Sequence, residues 1–232
     1  MVFIEPNVSD WDMEKMKCKY CENLCVKNGF HTNRAQRFKC KCCGKRQLAS
    51  YKYNAYRQGI SRDIISLTKE GLGIRSLSRH LKISTTTVIR RTLEIALTIK
   101  KPMISLAKKY EVDELCTFIE RKSRQIWICY AIERITKQIV NFRIGSRSNK
   151  TLNGVIQTLI LSQPKHIYTD GLRNYKTLIP KEIHKTTRFG TNHIERMNLN
   201  LRTHLKRLNR RTICFSKSLV MLSAVLKIYF WG

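Results

Sequence analysis

The chain has 232 residues, with 45 Lys and Arg against 16 Asp and Glu, a formal net charge of +29 and a pI near 10.1. Hydrophobic residues make up 42%, enough for real cores, which excludes a disordered basic tail; with only 10 Gly and 4 Pro the chain is neither collagen-like nor low-complexity. One-signed charge on this scale repels itself in a compact fold, so a polyanion is the expected partner, with nucleic acid ahead of a membrane surface.

The first residues, Met1 to Met16, carry Glu5, Asp10, Asp12 and Glu14 and lack the basic-then-apolar order of a signal peptide. Six of the nine cysteines then crowd into Cys18 to Cys43. Cys18-x-x-Cys21 and Cys40-x-x-Cys43 have the spacing of a four-thiolate zinc site, each pair turning two sulfurs toward one tetrahedral ion across a short hairpin. The spacing predicts a zinc ribbon over residues 14–52 in which structural Zn2+ supplies most of the folding energy. Gly29 and Gly44 suit its turns, and Cys25 and Cys42 stand open as substitute ligands. Between Gly29 and Lys52 there are many Lys and Arg and no acid, which favours a nucleic-acid face.

Residues 53–99 read as a helix-turn-helix DNA-binding domain. Ile64, Ile65 and Leu67 mark a first helix over Ile60 to Lys69, which Gly71-Leu72-Gly73 breaks. Ile74, Leu77 and Leu81 mark a second. After a turn at Lys82-Ile83-Ser84, a third helix begins with Ser84 as N-cap and runs to about Leu97. Its Thr85, Thr86, Arg90 and Arg91 are candidates for contact with bases or phosphates in a major groove.

Lys100-Lys101-Pro102 is the expected boundary to a domain over 105–232. Alternation over Val112 to Glu120, Ile126 to Ile132 and Ile139 to Ile144 predicts a three-stranded meander with turns at Arg121 to Arg124 and Arg134 to Lys137. A one-sided helix follows over Asn149 to Leu161, then a short strand, His166 to Thr169, ending at Asp170-Gly171. Another strand is expected over Ile183 to Thr187, and a long helix from about Asn192. This order is that of an RNase H-like fold, so the fold class is α+β and multidomain, with a mixed sheet in the last domain. Ile213 to Trp231, broken by Lys217 and Lys227, is too short to span a bilayer and reads as a buried or partner-facing helix.

Acids are scarce here: from Arg134 to Gly232 only Asp170, Glu182 and Glu195 occur. In the expected fold Asp113 on the first strand, Asp170 at the end of a neighbouring strand and Glu195 in the first turn of the long helix converge. Three such carboxylates repel unless hard cations sit between them, and two Mg2+ (or Mn2+) ions there would suit phosphodiester displacement. Glu111, on the same strand face as Asp113, is the rival ligand, and Glu114 faces the other way. Asp170 could also be a turn aspartate, and Glu195 could pair with Arg202.

The cysteine pairs, the helix-turn-helix, Lys122-Ser-Arg-Gln-Ile-Trp127, Tyr168-Thr-Asp-Gly171, Ile194-Glu-Arg-x-Asn-Leu-Asn-Leu-Arg-x-His-Leu-x-Arg-Leu208 and Phe215-Ser-Lys-Ser218 together make the chain resemble transposases of the insertion sequence 1 family over nearly its whole length. The resemblance implies an enzyme that binds terminal inverted repeats through ribbon and helix-turn-helix, then cuts and joins target DNA with a DDE triad, Asp113, Asp170 and Glu195. It implies Arg196 and Arg202 near the substrate, a homodimer or higher oligomer, no membrane, and a prokaryotic cytoplasmic setting at the nucleoid. Two other readings compete. His204-x-x-Arg207 with Tyr229 imitates the metal-free tyrosine recombinases; in the metal-dependent reading Arg207 is a phosphate contact. A zinc-ribbon regulator without catalysis would leave the acids unused.

Overall fold

The computed structural model describes residues 16–32, 34–49 and 53–232. The acid-rich stretch before Met16 and positions 14, 15, 33 and 50–52 of the expected ribbon lie outside the described residues. The chain divides into two compact units, Met1–Gln58 and Gly59–Gly232.

In the first unit β1 (Cys25–Phe30), β2 (Gln36–Cys40) and β3 (Arg46–Leu48) form an antiparallel sheet in that order. Gly29, at φ +66°, sits at the irregularity between Lys27 and Phe30, and Gly44, at φ +69°, closes the turn after Cys43. Both positions use the left-handed backbone that glycine adopts without strain. Among the described residues the interior is Cys18, Cys25, Cys40 and a single large side chain, Phe38. That is too little apolar surface to hold a sheet by burial alone.

The second unit opens with α1 (Ile60–Lys69), α2 (Ile74–Leu81) and α3 (Thr85–Thr98). The turn between α2 and α3 passes through Lys82 at φ +53°, and Ser84 caps α3 by accepting the Thr87 N–H at 3.1 Å, as the sequence predicts. A five-stranded mixed sheet follows, in the order β6 (Ile139–Gly145), β5 (Arg121–Glu133), β4 (Lys109–Ile119), β7 (His166–Tyr168), β8 (His184–Lys185). The first three pair antiparallel as a meander; β7 runs parallel to β4 and β8 parallel to β7. Helix α4 (Asn149–Ile160) makes the crossover from β6 to β7, as parallel pairing requires.

Period-two alternation divides the sheet between two cores. Tyr110, Val112, Cys129 and Ala131 face α4 and α5 (Arg173–Leu178). Leu115, Ile128, Tyr130 and Ile132 face α6 (Asn192–His204) and α7 (Leu219–Trp231). A mixed sheet covered on both faces in this order fits an RNase H-like domain. Helix α7 also packs on α1 and α3. Its Lys227 Nζ donates to the Ala96 carbonyl at 3.0 Å, and its Trp231 Nε1 to the Ile139 carbonyl at 2.6 Å. Among the described residues no helix is long and apolar enough to cross a membrane.

Three expectations need correction. Arg121 to Arg124 is not a turn but the start of β5; the reversal is made by Glu120 alone, at φ +64°. The strand expected over Ile183 to Thr187 shrinks to His184–Lys185, because Ile183 instead closes a turn onto the Pro180 carbonyl. The last helix starts at Leu219, not near Ile213. Thr212 Oγ1 holds the Cys214 N–H at 2.9 Å in a local turn, Ser216 bridges to Ile119, and Ser218 caps the helix through the Met221 N–H. Helix α5, which the sequence reading did not anticipate, fills the connection from β7 to β8.

Candidate catalytic site

The parallel pairing of β4 with β7 sets Glu111 opposite Tyr168. Asp113 and Asp170 each lie two residues beyond that pair, where β7 ends and the longer β4 runs on. Their carboxylates and that of Glu114 approach within 4.8 Å of one another. Asp113 Oδ1 accepts the Glu114 N–H at 2.7 Å, and Oδ2 accepts Nδ2 of Asn198, on α6, at 2.7 Å. Burial, reinforced by the charges of Glu114 and Asp170, pushes the Asp113 carboxyl up to about 6. Asp170 Oδ1 accepts the Leu172 N–H at 3.0 Å, so this residue also shapes the turn into α5.

Glu114 is the member that the sequence reading set aside. Its buried carboxylate accepts the Tyr175 hydroxyl and lies 3.2 Å from Nη2 of Arg147. Alternation does turn its side chain to the α4 face. Asp170, however, stands past the end of β7, where the chain has left the sheet and the two faces are no longer kept apart. A carboxylate buried within a strand, one residue from Asp113, is the signal that could have found it.

Glu111, the expected rival, is committed elsewhere. Fully buried, it accepts the backbone N–H groups of His193 and Ile194 at 3.0 Å each, the His193 Nδ1 contact at 2.6 Å, and lies 3.3 Å from Nε of Arg134. A carboxylate from the sheet thereby satisfies the free N–H groups at the start of α6, where the side chain of the N-cap Thr191 caps no backbone N–H. Glu195 is exposed on that first turn, accepts the Thr191 hydroxyl at 2.8 Å, and is not part of the three-carboxylate group; nor does it pair with Arg202. It stands three residues before Asn198, whose amide does reach Asp113.

Three closely spaced carboxylates, two of them desolvated (Asp113 and Glu114), are the donor set of a hard divalent cation, so Asp113, Asp170 and Glu114 fit such an ion. In the other unit the sulfurs of Cys18, Cys21, Cys40 and Cys43 also lie within 4.8 Å of one another, Cys18 to Cys43 at 3.5 Å and Cys21 to Cys40 at 3.4 Å. Four thiolates about 2.3 Å from a tetrahedral zinc stand roughly 3.8 Å apart, so the set fits that ion. The Tyr20 and Cys43 N–H groups reach the Cys18 and Cys40 sulfurs at 3.5 Å each. Hydrogen bonds from Asn23 hold the Cys21 thiol down to about 6, which favours the thiolate. Cys25 and Cys42 are outside the group.

The predicted basic contacts are spread over the second unit. Thr85, Thr86 and Arg90 are exposed on α3, and Glu94 takes Arg90 at 2.9 Å and Arg91 at 3.5 Å. Arg196 is exposed on α6 and Arg202 half-buried, its guanidinium within the field of Asp113. Arg207 is half-buried and donates to Ser216 at 3.1 Å. His204 Nδ1 and the Tyr229 hydroxyl lie 2.6 Å apart beside a cavity of about 330 Å3 that Met197, Asn200 and Phe230 also line.

Residues 106–231 match the family described as IS1 transposase. The chain is 37% identical over 108 residues to the insertion element iso-IS1n protein InsB of Shigella dysenteriae, covering 47% of this chain and 82% of that protein. Over 119 residues it is 36% identical to the insertion element IS1 protein InsB of Shigella flexneri, covering 51% and 91%. The insertion element IS1 4 protein InsB of Escherichia coli K12 matches at 36% over 119 residues, 51% of this chain and 71% of that one. Among solved structures, a chain of the simian T-cell lymphotropic virus intasome in complex with PP2A regulatory subunit B56 gamma is 15% identical, with a TM-score of 0.39, covering 71% of this chain and 66% of that one.

Proposed function

The chain belongs to the IS1 transposase family, and on that premise we propose that it binds the terminal inverted repeats of an insertion sequence and cuts and joins DNA there through a metal-holding carboxylate site. The observation that carries this reading is the meeting of Asp113 and Asp170, where β7 ends, in a chain whose net charge is +29. Against so basic a background, acids brought together where the ionisation of Asp113 is opposed have a use beyond surface charge.

The catalytic residues we assign are Asp113, Asp170 and Glu195. Glu195 shares the α6 face of Asn198, since positions three apart on a helix are neighbours, and it would join Asp113 only by leaving Thr191 and rotating its side chain. Two Mg2+ or Mn2+ ions bound there would supply a Lewis acid for the leaving oxygen and an activated water or 3′-hydroxyl for attack. Asn198 fixes the Asp113 carboxylate, and Glu111 anchors the start of the helix that carries Glu195. The four cysteines hold structural Zn2+, and the ribbon with α1 to α3, a helix-turn-helix in this reading, recognises the DNA ends. Thr85, Thr86, Arg90 and Arg91 contact DNA from α3, and Arg196 and Arg202 contact it from α6. Two ends must be processed together, so the working form is a dimer or larger assembly.

The test uses labelled duplexes cut from the DNA flanking this chain's coding sequence, with Mg2+ or with EDTA. Metal-dependent nicks that leave free 3′-hydroxyls and vanish in Asp170→Asn are expected. The contact of His204 with Tyr229 motivates a second reading, the tyrosine route, which predicts a metal-independent protein–DNA adduct lost in Tyr229→Phe. That result would overturn the carboxylate assignment. Arg207 is held by Ser216 on the far side of its own turn, which weighs against its joining that pair.

A further inference from the structure

Trp127 ends the Lys122-Ser-Arg-Gln-Ile-Trp127 segment, and nothing in the carboxylate chemistry uses it. Its half-exposed indole carries the guanidinium of Arg147, 4.5 Å from the ring centroid. Arg147 lies in the short loop between β6 and α4 and is tied at its other side to Glu114, with Nη2 to Oε2 at 3.2 Å. The Glu114 side chain is 1% exposed, that of Arg147 39%. The bridge thus has a dry end inside the carboxylate group and a wet end facing solvent.

We infer that Arg147 is a preset contact for a DNA phosphate lying next to the carboxylate site, with Trp127 and Glu114 as the residues that hold it in place. This rests on the strand-cutting reading and adds a binding residue to it. An arginine offers a planar fork of donors, of which Glu114 engages one; the remaining donors make no hydrogen bond among the described residues. Stacked on an indole and anchored at one nitrogen, the fork loses little freedom when it takes a second oxyanion. Glu114 belongs to the group with Asp113 and Asp170, so any phosphodiester placed for attack there lies within a nucleotide or so of Arg147. Arg202 and Arg210 lie in the same electrostatic neighbourhood, since their charges and that of Arg147 all act on Cys116, two residues beyond Glu114 on β4. A guanidinium whose only task was to neutralise Glu114 would need neither the indole nor the exposure.

The experiment is equilibrium binding of the full chain to duplexes cut from the flanking DNA, each with a single phosphate replaced by a neutral methylphosphonate. For the parent, neutralising one phosphate, or one and its neighbour, weakens binding by about tenfold. Arg147→Gln weakens binding to the unmodified duplex by the same factor and is indifferent to substitution at that phosphate, while staying sensitive elsewhere. Arg147→Lys, which keeps the charge opposite Glu114 and so protects folding, falls between the two. If either variant, folded by circular dichroism, keeps the parent's full sensitivity at every position, Arg147 is a structural counter-ion and the inference fails. If the parent shows no preference for flanking DNA and no position-dependent loss, the strand-cutting reading fails with it, a distinct outcome.

Discussion

Glu111 and Ile194 are 83 positions apart, yet Glu111 Oε2 accepts the Ile194 backbone N–H at 3.0 Å. The bond joins the middle of the sheet to the first turn of the helix that carries Glu195 and Asn198. Replacing the carboxylate with the amide removes its charge from the start of α6 and from Arg134. Glu111→Gln is therefore expected to lower stability by about 1–3 kcal/mol in urea denaturation. In the same variant DNA cleavage should fall more than DNA binding, because α6 is no longer fixed over the site. Unchanged stability would show that the buried contacts of Glu111 are worth no more than their exposed equivalents.

Asp113 gives the pH prediction. Its carboxyl titrates near 6 in the fold against an ordinary 3.8, because burial first and then Glu114 and Asp170 oppose its charge. The folded state thus holds this proton more tightly than the unfolded state. The cost of ionising it is absent below pH 4, grows between 4 and 6, and is complete above 6, at about 3 kcal/mol at most. In EDTA, Asp113→Asn should be more stable than the parent at pH 8, and the gap should close by pH 4. Urea titrations at the two pH values check this; an equal gap at both would mean the residue ionises normally.

Among the described residues, the first unit has Phe38 as its one large fully buried side chain. Purified chain is expected to carry one zinc, read by metal analysis, and chelation should melt the β1–β3 sheet while leaving the helical signal of the second unit in circular dichroism. Cys18→Ser should lose the metal; Cys25→Ser and Cys42→Ser should keep it. Retention of zinc by Cys18→Ser would move the ligand set to Cys25 or Cys42.

Gly71 lies at φ +82°, and a Cβ there would stand 2.0 Å from the His204 carbonyl oxygen. Because the obstacle is backbone, it cannot rotate away. Gly71→Ala is expected to cost about 2 kcal/mol or more, combining left-handed strain with overpacking. A variant with parental stability would show that the end of α6 yields freely.

Much of this architecture was legible because each element announces itself locally. Ser84 is a small polar residue before a helical run, Gly44 sits where a tight turn needs it, and the meander alternates cleanly. Asp170 stood out through scarcity, and Asp113 through its place on the first strand of the meander. What failed was set by tertiary context. The β4–β5 reversal falls on Glu120 because strand pairing carries Arg121 to Arg124 into β5, against their turn-like composition. Glu114 was discounted by face alternation, which holds within a sheet and lapses where Asp170 leaves it. The commitment of Glu111 to α6 depends on a contact 82 to 83 residues away, which no local pattern encodes.

Helix α7 lies on the sheet with one side and on α1 and α3 with another, while Gly71 abuts the end of α6. The three N-terminal helices of this unit are thereby welded to the carboxylate platform instead of trailing from it on a tether. On the proposed function, in which α3 settles on a duplex, such a weld acts as a ruler: the number of base pairs from α3 to the bond presented for cutting would be a constant of the fold. Changing that number would mean recasting α7, not lengthening the loop around Pro102.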